Sequence, residues 1–206
     1  MSTQIVLATR NAHKAHELAR VLEMLGLDIE LLTIDAFPDA PEVPETEPTF
    51  EGNALLKARA LSAHAGIPAI SDDSGLCVNA LNGMPGILSA RWSGATQNVD
   101  AANLNLVLQQ IADVPDVRRG AQFVCAAALV LPDGQEFTVR GTVEGRLLHE
   151  TRGDQGFGYD PIFVPDGLDV TTAQMSADEK DAISHRGKAM RALAEILKDI
   201  IGSDSL

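Results

Sequence analysis

The sequence predicts a mixed α/β fold. A continuous apolar run of strand length, Gln4–Ala8, leads through a polar loop into a helix. The apolar face of that helix ends before Gly26 and consists of Leu18, Val21, Leu22 and Leu25. Farther along, the runs 122–131 and 136–144 flank Pro132-Asp133-Gly134, which is a strong hairpin signal. A strand followed by a helix, together with a long hairpin, favours a mixed β-sheet with flanking helices and a second lobe.

Composition limits the class of protein. The chain has 206 residues, of which 45% are hydrophobic and 22% charged, so it can bury a substantial core. A formal net charge of −13 argues against a nucleic-acid binder, whose affinity would depend on a basic surface. Cys77 and Cys125 have apolar neighbours and no CxxC spacing, which is typical of buried thiols in a reducing compartment. Without a leader or an apolar run of membrane-spanning length, we expect a cytoplasmic protein with no membrane partner.

The first polar loop is a candidate phosphate cradle. Thr9, Arg10, Asn11, Ala12, His13 and Lys14 follow the first strand directly and open the first helix. Free backbone amides at a helix start, with cations beside them, bind phosphate readily. The loop lacks the glycines of a P-loop, and Thr9 or Asn11 could equally cap the helix while the bases face solvent.

A second strand and a helix come next. Asp28–Ile34 reads as the strand, and the acidic, proline-rich segment 37–48 cannot hold a regular element. A helix is then predicted from Phe50 to Ala65, closed by Gly66. Its apolar face consists of Ala54, Ala58, Leu61 and Ala65.

Two adjacent carboxylates follow this helix. The apolar run Ile67–Ile70 predicts a short buried strand, with Asp72 and Asp73 at its end and a turn starting at Ser74-Gly75. Neighbouring acids repel each other and lose solvation there, and a magnesium ion would relieve both costs. Asp-Asp-Ser-Gly is also common turn chemistry, so both readings stay open from these residues alone.

The remaining segments add helices and a glycine-rich loop. Asp100 is predicted to cap a helix whose apolar residues are Leu104, Val107, Leu108 and Ile111. In the segment 153–161, Phe157 and Tyr159 could stack on a base or pack in the core. Ser176 to Glu179 has capping-box spacing and starts a short helix carrying Lys180. Ser184-His185-Arg186 opens the last helix, whose predicted inward residues are Met190, Leu193, Ala194, Leu197 and Ile201.

Four of these segments occur in an order and spacing that resembles the inosine triphosphate pyrophosphatase family. They are 9–14, 72–76, 156–161 and 184–186, and the resemblance runs from Val6 to about Leu197. It implies a single domain over residues 1–206, with two lobes, a central cleft and assembly as a homodimer. It also implies magnesium-dependent hydrolysis of the noncanonical purine nucleotides ITP, dITP and XTP to the monophosphate and pyrophosphate, which clears them from the nucleotide pool.

The resemblance also implies residue roles. Asp73 would be the catalytic acid-base residue and a magnesium ligand, and Glu45 the second ligand. Residues 9–14 would hold the triphosphate. The other nucleotide-binding positions would be Ser74, Phe157, Gly158, Tyr159, Asp160, Lys180, His185 and Arg186. Arginine carries only hydrogen-bond donors, so Arg186 would suit the O6 acceptor of hypoxanthine or xanthine and oppose the N6 donor of adenine.

Two other functions compete with this interpretation. A related pyrophosphatase of pyrimidine or modified nucleotides would share the fold, and Ser184-His185-Arg186 favours the purine substrate. The other is a nucleotide-binding sensor without turnover, and the intact Asp73 and Lys14 argue against it.

Overall fold

The computed structural model describes residues 3–9, 15, 16, 19, 20, 23 and 29–203. The chain divides into two compact units that share several strands. The first unit comprises Met1–Asp73, Cys125–Gly141 and Arg186–Leu206, and the second comprises Ser74–Val124 and Thr142–His185. Residues 15, 16, 19, 20 and 23 are helical, whereas the predicted apolar residues Leu18, Val21, Leu22 and Leu25 lie outside the described residues.

A six-stranded mixed sheet organises the fold, which confirms the predicted class. Its strands are β1 (Thr3–Leu7), β2 (Ile29–Thr33), β3 (Ala69–Val78), β4 (Gly120–Val130), β5 (Glu136–Leu147) and β6 (Phe163–Pro165). The strand order is β2-β1-β3-β4-β5-β6. Strand β1 runs parallel to β2 and β3, whereas β5 and β6 are antiparallel.

Four complete α-helices lie in the described part of the chain. They are α1 (Phe50–Ala65), α2 (Val99–Gln110), α3 (Ala177–Ile183) and α4 (His185–Ser203). None of the helices in the described part of the chain has both the length and the apolar character that a membrane crossing demands.

In the first unit, helices cover β1 and β3 on both faces. Ile5 and Leu7 of β1 and Ile70 of β3 pack against α4, where Met190, Leu193, Ala194 and Leu197 are buried as predicted. Val6 and Ala69 point to the opposite face and contact Leu61 of α1. Burial on both faces explains why the first strand reads as a continuous apolar run.

Helix α1 has the predicted bounds. The Thr49 hydroxyl accepts the backbone N–H of Gly52 at its start, and Gly66 ends it in the left-handed region at φ 70°. Ala54 and Ala58 are fully buried against Ala128 and Val130 of β4. Small residues at one-turn spacing thus let the helix approach the sheet closely.

The predicted hairpin is also confirmed. The turn between β4 and β5 is closed by a 2.9 Å hydrogen bond from Leu131 N–H to the Gln135 carbonyl. Gly134 in this turn has a φ of 89°, a conformation that favours glycine.

The second unit has a separate aromatic and aliphatic core. Leu104, Val107 and Ile111 of α2 pack with Phe123 and Phe163, whose ring centroids lie 4.6 Å apart. The prediction that Asp100 caps α2 is wrong, because Asn98 occupies the N-cap with a φ of 47°. Asp100 lies within the first turn and accepts the Gly158 N–H at 3.0 Å.

A buried arginine joins two segments of the second unit. Arg119 is 1% exposed. It donates to the carbonyl oxygens of Ile111 at 2.6 Å, Leu147 at 2.9 Å and Leu148 at 2.7 Å. Burial lowers the pKa of this guanidinium, and the charge of Asp116 partly opposes that shift.

Candidate active site

The central carboxylates lie inside a strand. The predicted strand end and turn at Asp72 to Ser74 are wrong, since β3 continues from Ala69 to Val78. The parallel pairing with β1 nevertheless stops at Ile70, while β3 continues as the neighbour of β4. Asp72 and Asp73 therefore lie just beyond the carboxyl end of the β1–β3 ladder, and ligands commonly bind at such an edge.

The two carboxylates have different surroundings. Successive residues of a strand point to opposite faces, so the side chains of Asp72 and Asp73 diverge. Asp72 is 2% exposed, and its Oδ2 lies 3.4 Å from Nε of Arg186, which is 3% exposed. Asp73 is 5% exposed, and its Oδ2 accepts the side-chain amide of Asn53 at 3.0 Å. Divergence reduces the like-charge repulsion that the sequence suggests.

Helix α1 supplies two polar groups to this strand that sequence reasoning missed. Asn53 contacts Asp73, and Lys57, one turn later, donates to the Asp72 carbonyl at 2.8 Å. The ammonium of Lys57 also lies 2.7 Å from Oε1 of Glu45. Two polar residues four apart share a helix face, and this spacing beside Ala54 and Ala58 was the available signal.

The oxygen donors at this edge fit magnesium in their chemistry. Because Glu45 and the Asp72 carbonyl bind the same ammonium, Glu45 lies beside the strand that carries Asp73. Among the described residues, no three His, Cys, Asp or Glu side chains form a candidate metal-binding group. Magnesium commonly uses only one or two carboxylates and fills its remaining positions with water and substrate phosphates. Asp73 and Glu45 are ligands of the type that magnesium uses, and the Glu45 carboxylate is paired with the Lys57 ammonium at 2.7 Å.

The candidate phosphate loop is only partly described. Backbone hydrogen bonds from Ala8 to Ile70 and from Thr9 to Leu7 fix the end of β1, and the predicted site residues 10–14 lie outside the described residues. Thr9 and Lys57 line a cavity of about 490 Å³, a volume within the usual range of ligand sites. Its other lining residues are Ala8, Ile34, Ala40, Pro41, Glu42, Val43, Pro44 and Leu61.

In the second unit, the glycine-rich loop is held by Asp160. This carboxylate is 3% exposed. It accepts the Phe157 N–H at 2.9 Å, the Thr172 hydroxyl at 2.9 Å and the Lys180 ammonium at 2.6 Å. Gly156 has a φ of 75°, and a Cβ there would collide with the Asp160 carboxylate, so the turn requires glycine.

The two aromatic rings of this loop have different environments. Phe157 is 39% exposed, and the Lys180 ammonium lies 5.0 Å from its ring centroid. Tyr159 is 5% exposed and donates its hydroxyl proton to the Ser89 carbonyl at 2.8 Å. Burial raises the pKa of Tyr159, and the nearby charge of Asp100 raises it further. Phe157 thus offers a surface for stacking, and Tyr159 belongs to the core.

The other predicted positions divide between the units. Ser74 is half-buried in β3, and His185 stacks on Phe123 with centroids 4.9 Å apart; both belong to the second unit. Phe157, Gly158, Tyr159, Asp160 and Lys180 belong to it as well. Glu45, Asp73 and Arg186 belong to the first unit. There, Arg186 contacts the Asp72 carboxylate, and Glu45 shares the Lys57 ammonium with the Asp72 carbonyl.

Comparisons with known proteins cover nearly the whole chain. The family model of the Ham1 family matches residues 5–196. A Streptomyces coelicolor protein named dITP/XTP pyrophosphatase is 54% identical over 200 residues, covering 97% of this chain and 100% of that protein. Among solved structures, a nucleoside-triphosphatase and dITP/XTP pyrophosphatase from Mycobacterium abscessus gives a TM-score of 0.79 at 52% identity, covering 95% of this chain and 100% of that one. A HAM1 protein from Coxiella burnetii gives 0.86 at 38% identity, with coverages of 96% and 99%.

Proposed function

The chain belongs to the Ham1 family, and we propose that it is a nucleoside triphosphate pyrophosphatase acting on the noncanonical purine nucleotides dITP, XTP and ITP. The products would be the nucleoside monophosphate and pyrophosphate. The observation that carries this proposal is the 54% identity to a dITP/XTP pyrophosphatase over 97% of this chain. The buried Asp73 at the edge of the β1–β3 ladder supports it, since water attack on a phosphate needs a positioned base.

The chemistry depends on positioning and charge. Phosphate transfer needs little covalent help, so catalysis comes mainly from orienting the reactants and stabilising negative charge. We propose that the Asp73 carboxylate accepts a proton from the attacking water, while Lys57 and the predicted cations Arg10 and Lys14 lie near the phosphates. Asp73 and Glu45 would hold the magnesium ion, which supplies positive charge to the triphosphate when bound.

Phe157 of the second unit would hold the base by stacking. Its side chain is 39% exposed, and the Lys180 ammonium lies over the ring, 5.0 Å from the centroid. The assignment of Arg186 to the O6 atom rests on the resemblance, since its Nε lies beside Asp72. Residues 1–206 as one two-lobed domain, a homodimer and a cytoplasmic location are further proposals from the same resemblance, and light scattering tests the dimer.

A nucleotide panel tests the proposed function. Purified protein with magnesium is assayed with dITP, XTP, ITP, the four standard triphosphates and modified pyrimidine nucleotides, and pyrophosphate and orthophosphate are measured separately. We expect pyrophosphate with the three noncanonical purines. Orthophosphate as the first product would contradict cleavage at the α-phosphorus. Preference for a pyrimidine, or binding without turnover, would favour one of the two competing functions.

The role of Asp73 has its own prediction. Asp73→Asn should retain the fold but lose at least about two orders of magnitude in rate at saturating magnesium, because the amide is neither a base nor an anionic ligand. Asp113→Asn, at an exposed position of the second unit, is the matched control. A near-normal rate in the folded Asp73 variant would exclude a catalytic role for this residue.

A further inference from the structure

We propose that Asn53 is a positioning residue for the reaction, a role that rests on the proposed function. Its side-chain amide connects the backbone of Glu47 to the carboxylate of Asp73. Asn53 therefore ties the acidic segment that carries Glu45 to the strand that carries the proposed base.

The orientation of this amide is determined by its two partners. Oδ1 of Asn53 accepts the Glu47 N–H at 2.9 Å, and Nδ2 donates to Oδ2 of Asp73 at 3.0 Å. A backbone N–H only donates and an ionised carboxylate only accepts. The flipped amide would place donor against donor and acceptor against acceptor, so a single orientation satisfies both contacts.

Asn53 is mounted on a rigid part of the fold. Its side chain is fully buried, and its own N–H donates to the Thr49 carbonyl at 3.1 Å in the first turn of α1. The following residue, Ala54, packs against β4 without exposed surface. A group held in this way restrains rotation of the Asp73 carboxyl and fixes the distance from Asp73 to the Glu47 backbone.

The chemical type of this side chain suits a positioning role. An amide is neutral, so the Asn53 side chain orients the Asp73 carboxylate without adding a positive charge beside it. Since Glu45 is two residues before Glu47, we expect Asn53 to restrain the spacing between the two proposed magnesium ligands, Glu45 and Asp73.

The test compares Asn53→Ala with Ser62→Ala on the same helix. Ser62 is 3% exposed and donates to the Ile67 carbonyl at 3.0 Å, so its loss removes a buried hydrogen bond with no link to Asp73. We would measure kcat and KM for dITP at saturating magnesium, the folded fraction by circular dichroism, and Mn²⁺ binding by electron paramagnetic resonance without nucleotide.

We expect kcat of Asn53→Ala to fall about 10- to 100-fold and KM to change less than about threefold, because a displaced base weakens the chemical step more than binding. Mn²⁺ affinity should fall about tenfold, as it does when an outer-shell partner of a metal ligand is lost. Ser62→Ala should become less stable but keep both kcat and Mn²⁺ affinity.

A folded Asn53→Ala that loses stability only, with kcat and Mn²⁺ affinity like those of Ser62→Ala, would overturn the proposal. If the alanine variant does not fold, Asn53→Asp tests the kinetic part of the proposal. Aspartate keeps the size of the side chain and the acceptor for the Glu47 N–H but loses the donor to Asp73. Unchanged kcat in Asn53→Asp would also overturn the proposal. If the unmodified protein releases no pyrophosphate, the proposed function fails. The Mn²⁺ comparison still tests Asn53 in that case, and equal affinities would refute the link.

Discussion

Arg186→Ala should destabilise the protein strongly, because it removes a cation that lies beside the buried carboxylate of Asp72. The side chains of Arg186 and Asp72 are 4% and 1% exposed, and Nε lies 3.4 Å from Oδ2. At an effective dielectric constant of about 20, two unit charges at this distance attract by about 5 kcal/mol. The desolvation of both charges offsets much of this attraction in the intact pair, but removing one partner typically costs about 3–5 kcal/mol. Total stabilities are only about 5–15 kcal/mol, so the loss would be a large share.

Urea unfolding of Arg186→Ala, Asp72→Asn and the double variant measures this effect. The double variant should be more stable than Arg186→Ala by about 1–3 kcal/mol, since it no longer buries the Asp72 charge without Arg186. A loss below about 1 kcal/mol in Arg186→Ala would refute the reasoning, because it is typical of a solvent-exposed pair. The rates of Arg186→Ala with ITP and with ATP should be compared at a temperature well below the unfolding midpoint of this variant. There, an undiminished preference for ITP would refute the O6 role of Arg186.

Two further predictions concern buried hydroxyls. Ser71→Ala should stabilise the protein by about 1 kcal/mol in thermal unfolding, because its buried Oγ has no hydrogen-bond partner among the described residues. Ser62→Ala should destabilise it by a similar amount, because it removes a hydrogen bond to the Ile67 carbonyl. If both variants lost the same stability, the contrast would be contradicted. Because burial raises the pKa of Tyr159, the unfolded chain loses that proton first above about pH 10, and stability should fall by up to about 1.4 kcal/mol per pH unit. Ultraviolet absorbance of the single tyrosine reports its ionisation, and an ordinary titration in the folded protein would contradict the prediction.

Local signals were sufficient for several elements. Helix α1 has the predicted bounds because Gly66 ends it in a conformation that other residues avoid. The hairpin strands differ from the prediction by a few residues at their outer ends, since the turn determines the pairing and the neighbouring strands determine its length. Ser176 and Glu179 form the predicted capping box. Strand β3 extends beyond its predicted end because its continuation past Asp73 depends on its neighbour β4, which lies far away in the sequence.

Contacts within the candidate site join residues that are far apart in the sequence, and the sequence alone does not show which of them meet. Asn53 meets Asp73 across 20 residues, and Lys57 meets Glu45 across 12. Tyr159 and Phe157 have the same local chemistry, yet only Tyr159 is drawn into the core, by a hydrogen bond to Ser89 70 residues away. Residue type and spacing identified the carboxylates and the loop, while tertiary packing decided which groups surround them.

The guanidinium of Arg119 should couple the opening of two segments that lie far apart in the sequence. It binds the Ile111 carbonyl after α2 and the Leu147 and Leu148 carbonyls at the end of β5. Fraying of either segment would strip a buried cation of part of its acceptors, and the remaining bonds do not compensate for that loss. Backbone amides in both segments should therefore exchange with solvent as one cooperative unit, with a shared free energy of opening. A lysine in this place would bring a single ammonium instead of a planar fork, and the coupling between the two segments should weaken.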